Sequence, residues 1–145
     1  MLFGKRERRI SRILLVEDEP LVAFDNEYLL QDAGYEVVGT VDNLAAAREI
    51  IESQEELDLV LTDIALAGEG DGTGVARIAR QRGIPVLFVT GSCPEEAQKL
   101  GVGCLAKPYS DKVLKNALDA LDRVLAGETV KRLPEQLVLY GIEEG

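Results

Sequence analysis

Five short, continuously apolar runs, each followed by a segment with helical periodicity, constrain the fold of this chain more than any other feature. The runs cover residues 12–16, 35–41, 57–62, 84–89 and 103–106. Continuous rather than alternating apolarity is typical of strands that are buried on both faces of a parallel sheet. Strict alternation of strands and helices predicts an α/β fold in three layers, with a doubly wound, five-stranded parallel sheet between two layers of helices.

Capping and turn residues indicate where the helices begin and end. Pro20 favours a first helix that ends at Gly34. The other helices are predicted after Asp42-Asn43, near residues 75–82, at 95–100, and from Ser110 or Asp111 to Gly127. Residues 67–74 are rich in glycine and predict a flexible loop that is longer than usual.

Charged and hydroxyl side chains follow four of the five predicted strands. They are Glu17 and Asp18 after the first strand, Asp63 after the third, Thr90 after the fourth and Lys107 after the fifth. In open α/β sheets the ligand-binding crevice lies beyond the carboxyl ends of the strands, so these side chains should lie close together. Three neighbouring carboxylates need protons or a cation. Mg²⁺, which prefers oxygen ligands, is therefore the predicted cofactor.

A carboxylate nucleophile, a divalent ion and an ammonium group together meet the needs of phosphoryl transfer. Asp63 is the candidate acceptor, with Thr90 and Lys107 as candidate partners of the transferred group. Each residue alone has a simpler interpretation, because acidic residues favour helix N-termini, and Asp or Lys-Pro after a strand is a common turn. Their combination at successive strand ends favours the functional interpretation.

Composition excludes several classes of function. The chain has no histidine, so it has no imidazole base or metal ligand and no phosphohistidine of its own. Its net charge of −10 disfavours a nucleic-acid partner. No apolar run is long enough to span a membrane, and the N-terminus lacks the apolar stretch of a secretion signal. The expected location is the cytoplasm, with no membrane partner.

The two cysteines, Cys93 and Cys104, form neither a disulfide framework nor a zinc motif by their number and spacing. We expect both to be reduced and to behave as small hydrophobic side chains. A redox switch is the weaker alternative, because no cation other than Lys107 is predicted nearby to activate a thiol.

The strand-end segments resemble the receiver domain of bacterial two-component response regulators over about residues 11–126. The segments that carry the resemblance are residues 13–20, 59–66, 88–91 and 105–108. The resemblance implies a flavodoxin-like fold with strand order 2-1-3-4-5 and phosphorylation of Asp63. It also implies Mg²⁺ binding by Asp18, Asp63 and the carbonyl of Ala65, with Glu17 acting through water, and phosphoryl contacts from Thr90 and Lys107.

Cys104 and the segment after Thr90 depart from the family pattern. Most receivers carry Tyr or Phe at the position of Cys104, and that ring turns inward when the Thr moves onto the phosphoryl group. Its absence here predicts a different or weaker readout of phosphorylation. Residues 88–91, Phe-Val-Thr-Gly, resemble part of the signature of a subfamily of mostly single-domain receivers, which is similar to regulators of general stress signalling.

The predicted organisation is a basic arm over residues 1–10, a receiver domain over 11–126 and a tail over 127–145 without an output domain. The basic residues are expected to form a solvated, frayed terminus; they are Lys5, Arg6, Arg8, Arg9 and Arg12. The apolar residues of the tail favour packing against the domain over use as a docking segment.

Three functional hypotheses follow. The first is a single-domain response regulator that is phosphorylated by a sensor histidine kinase and either contacts a downstream effector or drains phosphoryl groups as a sink. The second is a phosphate-independent interaction module with the same fold, as a monomer or weak homodimer in either case. The third, an enzyme acting on a small phosphate ester, is disfavoured because Ile64-Ala65 after Asp63 lacks the second carboxylate that such enzymes often use.

Overall fold

The structure, a computed structural model, describes residues 8–54 and 56–140. Within these residues, strands and helices alternate up to the final helix, and a short strand follows it. The elements are β1 (Arg12–Val16), α1 (Pro20–Asp32), β2 (Glu36–Val41), α2 (Leu44–Ser53), β3 (Leu59–Thr62), α3 (Gly72–Gln81), β4 (Val86–Thr90), α4 (Ala97–Leu100), β5 (Gly103–Ala106), α5 (Asp111–Leu125) and β6 (Leu137–Leu139).

The sheet has the predicted order 2-1-3-4-5 and one additional strand. β2, β1, β3, β4 and β5 pair in parallel, as expected for a doubly wound sheet. β6 pairs antiparallel with β5, with Cys104 opposite Val138. The predicted fold class and the order of the five parallel strands are therefore confirmed, and β6 adds one antiparallel strand that the sequence did not predict. The tail does pack against the domain, as favoured from its apolar residues.

The strands separate two apolar cores, one on each face of the sheet. On one face, Ile13 and Leu15 of β1 pack with the buried residues of α1 and α5. On the other face, Leu14 and Val16 pack with buried residues of α2, α3 and α4. All four side chains are almost completely buried. This explains why the strands are continuously apolar, because successive side chains on a strand point to opposite faces and here both faces are covered.

Side-chain caps fix the start of three helices. Asn43, Asp71 and Ser110 accept hydrogen bonds from backbone N–H groups in the first turns of α2, α3 and α5. Because Asp71 caps α3, that helix begins at Gly72 rather than near Val75, and the glycine-rich loop is shorter than predicted. None of the helices in the described ranges is long and apolar enough to cross a bilayer.

The residues before β1 lie against the domain. The Arg8 guanidinium lies 4.3 Å from the centre of the Tyr35 ring and donates a hydrogen bond to the Ala33 carbonyl. Ile10 is 1% exposed. The expectation of a frayed terminus is therefore wrong for Arg8, Arg9 and Arg12, although Arg8 and Arg9 remain exposed to solvent. Lys5 and Arg6 lie outside the described residues.

Asp122 of α5 anchors this N-terminal segment. Its Oδ1 accepts hydrogen bonds from the backbone N–H groups of Arg9 (2.8 Å) and Ile10 (2.7 Å), and the residue is 1% exposed. We expect Asp122→Ala to lower the free energy of unfolding by about 2 kcal/mol or more, because it leaves buried N–H donors unpaired. Chemical denaturation measures this change.

Asp119→Ala on the same helix is the matched control. Asp119 is exposed and forms a surface ion pair with Arg123, so its replacement should change the stability by no more than about 0.5 kcal/mol. Equal losses for the two variants would contradict the assignment of Asp122 as the anchor.

The structure joins Cys93 and Cys104 in a disulfide, with their Cα atoms 6.3 Å apart. The expectation that both cysteines are reduced is therefore wrong for this structure. Cys104 lies on β5, and Cys93 lies in the loop that follows the neighbouring strand β4. The two residues come together through the order of strands in the sheet, which their separation of 11 residues in sequence does not reveal.

Candidate functional site

Backbone hydrogen bonds hold the residues at the carboxyl ends of the central strands. The N–H group of Asp63 donates to the Val16 carbonyl (2.9 Å), so the ladder between β1 and β3 continues one residue beyond the strand. The N–H group of Lys107 donates to the Thr90 carbonyl (2.8 Å) and extends the ladder between β4 and β5 in the same way. These hydrogen bonds therefore fix the backbone from which the side chains of Asp63 and Lys107 extend.

Lys107 lies at the centre of an acidic cluster. Its Nζ is 2.6 Å from Asp63 Oδ2 and 2.8 Å from Glu17 Oε1, and it also contacts Glu19 Oε1 at 3.5 Å. The side chains of Glu17 and Asp63 are 1% and 8% exposed. Two buried carboxylates thus share one ammonium group, which compensates part of their charge.

The second carboxylate oxygen of Asp63 is held by the backbone. Oδ1 accepts hydrogen bonds from the N–H groups of Ile64 (2.7 Å) and Ala65 (3.3 Å). With Oδ2 on Lys107, both oxygens have partners and the orientation of the side chain is fixed. Positioning of this kind is the main protein contribution to phosphoryl transfer.

The pKa values of Glu17 and Lys107 reflect this shared environment. Burial raises the pKa of Glu17 above its ordinary value, and the hydrogen bond from Lys107 opposes that rise only in part. Burial alone would lower the pKa of Lys107, but its hydrogen bonds to Asp63 and Glu17 outweigh that effect and raise it. Lys107 is therefore charged at neutral pH, as a contact for an anionic group requires.

Gly72, the first residue of α3, packs directly against the backbone of Asp63. Its N–H group donates to the Ile64 carbonyl (2.7 Å). A Cβ atom at Gly72 would lie 1.9 Å from the Asp63 carbonyl oxygen, which is far inside van der Waals contact. Only glycine permits this approach, so the residue that appeared to be part of a flexible loop instead supports the Asp63 turn.

Four carboxylates lie close enough to bind one cation. One carboxylate oxygen from each residue lies within 4.8 Å of the others, and the residues are Glu17, Asp18, Glu19 and Asp63. A set of hard oxygen donors with excess negative charge fits Mg²⁺. Glu17, Asp18 and Asp63 were predicted to bind the metal, whereas Glu19 was not. The carbonyl of Ala65 stays a predicted ligand.

Thr90 is the last residue of β4 and is 9% exposed. In the register between β4 and β5 it lies beside Ala106, the residue that precedes Lys107.

The sequence interpretation missed Tyr109, which lies two residues after Lys107. Its hydroxyl accepts a hydrogen bond from Asn26 Nδ2 at 3.0 Å, and burial raises its pKa. The sequence signal that could have identified Tyr109 is an aromatic residue two positions after Lys107, the lysine that follows β5.

Two clefts flank the acidic cluster. A cleft of about 370 Å³ lies on the β2 side, where Glu17, Asp18 and Thr40 are among its lining residues. A second cleft of about 310 Å³ is lined in part by Lys107 and Tyr109. The clefts therefore open onto Glu17 and Asp18 on one side of the cluster and onto Lys107 on the other.

The chain belongs to the response regulator receiver domain family, whose sequence model matches residues 13–119. The phyllosphere-induced regulator PhyR of Methylorubrum extorquens is 35% identical over 108 residues, or 68% of this chain and 39% of PhyR. A response regulator receiver protein from Sinorhizobium medicae is similar in structure, with a TM-score of 0.67 and 33% identity over 77% of this chain and 94% of that one. This chain therefore spans less than half of the length of PhyR.

A third similar protein is the receiver domain of the sensor histidine kinase PA1611 from Pseudomonas aeruginosa, whose crystal structure holds a magnesium ion in the active-site cleft. It has a TM-score of 0.64 and 28% identity, over 76% of this chain and 95% of that one. Family membership establishes a flavodoxin-like receiver fold and phosphorylation-based two-component signalling as the class of function.

Proposed function

We propose that this chain accepts a phosphoryl group on Asp63 from a sensor histidine kinase and passes the signal on through protein contacts. The observation that carries the proposal is the ion pair between Lys107 Nζ and Asp63 Oδ2, at 2.6 Å, within a cluster of four carboxylates. A buried nucleophile, a fixed ammonium and an oxygen-rich metal site are the parts that phosphoryl transfer requires.

In the proposed reaction, a carboxylate oxygen of Asp63 attacks the phosphorus of a phosphohistidine on the kinase. The O–P bond forms as the P–N bond breaks, and the released imidazole nitrogen keeps the electron pair. Lys107 moves from the Asp63 carboxylate to an oxygen of the transferred group, and the Thr90 hydroxyl donates to another. Mg²⁺, held by Glu17, Asp18 and Asp63, would neutralise the charge on that group.

A transfer experiment with the full chain tests this proposal. The chain is incubated with a phosphorylated kinase and Mg²⁺, and then again with the metal removed by a chelator. We expect stoichiometric labelling with Mg²⁺ and loss of most labelling without it, because the carboxylates would then repel the incoming phosphoryl group. Reduction by borohydride converts an aspartyl phosphate to homoserine, and mass spectrometry should find this change at Asp63. Labelling elsewhere in the chain would contradict the proposal.

The exposed face of α1 supports a protein donor. Leu21, Phe24 and Tyr28 are 80%, 69% and 67% exposed, although all three are large apolar or aromatic residues. Their spacing places them on one side of the helix, which begins directly after Glu19 of the acidic cluster. An apolar face beside the acceptor provides a surface on which a helical kinase domain can dock.

Phe24→Ala should lower the rate of transfer from the kinase about tenfold, since truncation of an aromatic anchor costs 1–2 kcal/mol or more at an interface. Labelling by acetyl phosphate, a small donor, should not change. Val138→Ala, which truncates an exposed apolar residue on β6 instead, is the control. An equal loss with both donors would show that Phe24 supports the site rather than the docking surface.

The proposal places the chain in the cytoplasm, where histidine kinases present their phosphorylated domains. Two outputs are compatible with the proposal: contact with a downstream effector, or removal of phosphoryl groups from the kinase as a phosphate sink. Cys104, in place of the usual aromatic ring, favours one rival, a phosphate-independent interaction module. Partner affinity that is the same with and without beryllofluoride, a mimic of the acyl phosphate, would select that rival.

A further inference from the structure

The disulfide between Cys93 and Cys104 connects the two chain segments that carry Thr90 and Lys107. Cys93 lies three residues after Thr90, and Cys104 lies three residues before Lys107. The Lys107 N–H group also donates a hydrogen bond to the Thr90 carbonyl. The covalent link and this hydrogen bond therefore constrain the same pair of segments next to the acidic cluster.

The two sulfur-bearing residues differ in accessibility. Cys104 is completely buried on β5, between Phe88 of β4 and Val138 of β6. Cys93 is exposed, as are its neighbours Gly91 and Ser92. A reagent in solution therefore approaches the disulfide from the side of Cys93, and the buried Cys104 is the leaving group. The chain has no other cysteine, so the pair cannot exchange with another thiol of the same molecule.

We propose that Cys93 and Cys104 form a redox-controlled modification site that regulates the response of Thr90 to a phosphoryl group on Asp63. This inference rests on the proposed function. In the cytoplasm, where that function places the chain, thiols are kept reduced and disulfides are mostly transient or redox-sensing. A buried cysteine paired with an accessible one is suited to such a cycle.

The chemistry balances with a hydroperoxide as oxidant and a dithiol as reductant. In oxidation by hydrogen peroxide, the Cys93 thiolate attacks one peroxide oxygen, the O–O bond breaks, and the departing hydroxide takes a proton from solvent to become water. The Cys104 thiol then attacks the sulfur of the resulting sulfenic acid, and the hydroxyl leaves with the thiol proton as a second water. In reduction, a dithiol attacks the Cys93 sulfur and Cys104 leaves as a thiolate that takes a proton. The second thiol of the reductant then releases Cys93 and forms its own disulfide.

The disulfide constrains the loop that directly follows Thr90. If phosphorylation of Asp63 draws the Thr90 hydroxyl toward the phosphoryl group, the residues that directly follow Thr90 move with it. The disulfide holds Cys93 to the central part of β5 and so restricts such a movement. Since a constraint shifts an equilibrium toward the state that it fits, oxidation should oppose phosphorylation.

The test compares the full chain after treatment with hydrogen peroxide and after treatment with dithiothreitol, which is removed before labelling. Alkylation and mass spectrometry count the free thiols in each sample. Asp63 is then labelled with acetyl phosphate and Mg²⁺. We expect the oxidised form to be labelled about fivefold more slowly than the reduced form. Cys93→Ser should behave like the reduced form after either treatment, and Cys104→Ala provides a second variant without the link.

Each result is decisive. Equal rates for the oxidised and reduced chain, with Asp63 labelled in both, would overturn the redox inference and leave the proposed function intact. Failure of peroxide to join the thiols would overturn it as well, as would a response to dithiothreitol that persists in both cysteine variants. If neither form is labelled by acetyl phosphate or by a phosphorylated kinase, the proposed function fails and the inference fails with it.

Discussion

Asp63→Asn is expected to abolish phosphoryl incorporation while the protein stays folded. The amide has almost the same shape as the carboxylate, and its oxygen can still accept the hydrogen bond from the Ile64 N–H group. An amide oxygen is too weak a nucleophile to displace a histidine from phosphorus. We expect labelling from both a kinase and acetyl phosphate to fall by at least about a hundredfold, as measured by intact-protein mass and by radiolabel.

The matched control is Asp42→Asn. Asp42 lines the cleft on the β2 side of the acidic cluster, is exposed and lies outside the four-carboxylate set. Its replacement removes the same charge near the site without removing the proposed acceptor, so labelling should remain within about a factor of three of the unmodified protein. Undiminished labelling of Asp63→Asn would falsify the assignment of Asp63.

The sequence predicts the sheet well because its strands are covered on both faces. A short, almost continuously apolar run such as Leu59–Thr62 is typical of such a strand, and the order of strands followed from the resemblance. The same logic predicts that Glu17, Asp63 and Lys107 lie together, because parallel strands bring their carboxyl ends to one edge. The structure places Glu17 and Asp63 in direct contact with Lys107.

Features that depend on distant pairing could not be predicted from local pattern. β6 is a strand of three residues at the sheet edge, too short for alternation to identify it. The link between Cys93 and Cys104 depends on β4 and β5 being neighbours and on the direction of a loop. Glu19 joins the acidic cluster only through the turn before α1, although the sequence interpretation stopped at Asp18.

Gly72 shows how local composition misleads. Four glycines between Gly68 and Gly74 favour a flexible loop by composition. The structure places Gly72 and Gly74 in α3, since the Asp71 side chain accepts hydrogen bonds from the first turn. Glycine is needed at position 72 for the close approach to Asp63 rather than for flexibility. Spacing from the Asp71 cap was the signal that could have identified the helix start.

When no metal is present, Lys107→Met is expected to lower the free energy of unfolding more than Asp122→Ala does. The substitution keeps the apolar stem and removes the ammonium group that pairs with Glu17 and Asp63. Two carboxylates would then remain buried without compensation. We expect the free energy of unfolding to fall by about 3 kcal/mol in a chelator at neutral pH. Lys112→Met, at an exposed position on α5, is the matched control and should have almost no effect.

The pH dependence of this loss follows from Glu17. Its pKa is already raised by burial, and without the hydrogen bond from Lys107 it should rise further. A folded-state pKa above the unfolded value means that the folded chain holds the proton more tightly. The stability of Lys107→Met should therefore fall as pH rises through the range between those two values. It should approach that of the unmodified protein in acid, where the carboxylates are protonated in both.

Magnesium should reverse most of the defect. In the unmodified protein Lys107 lies among the carboxylates and repels a divalent cation, so removal of its charge should tighten Mg²⁺ binding by about tenfold or more. Thermal unfolding with increasing Mg²⁺ should then show a larger gain in stability for Lys107→Met than for the unmodified chain. Phosphoryl transfer should nevertheless stay low, because the ammonium contact to the transferred group is missing. A variant that gains no stability from Mg²⁺ would show that the acidic cluster does not bind the ion, and the electrostatic basis of the proposed function would fail.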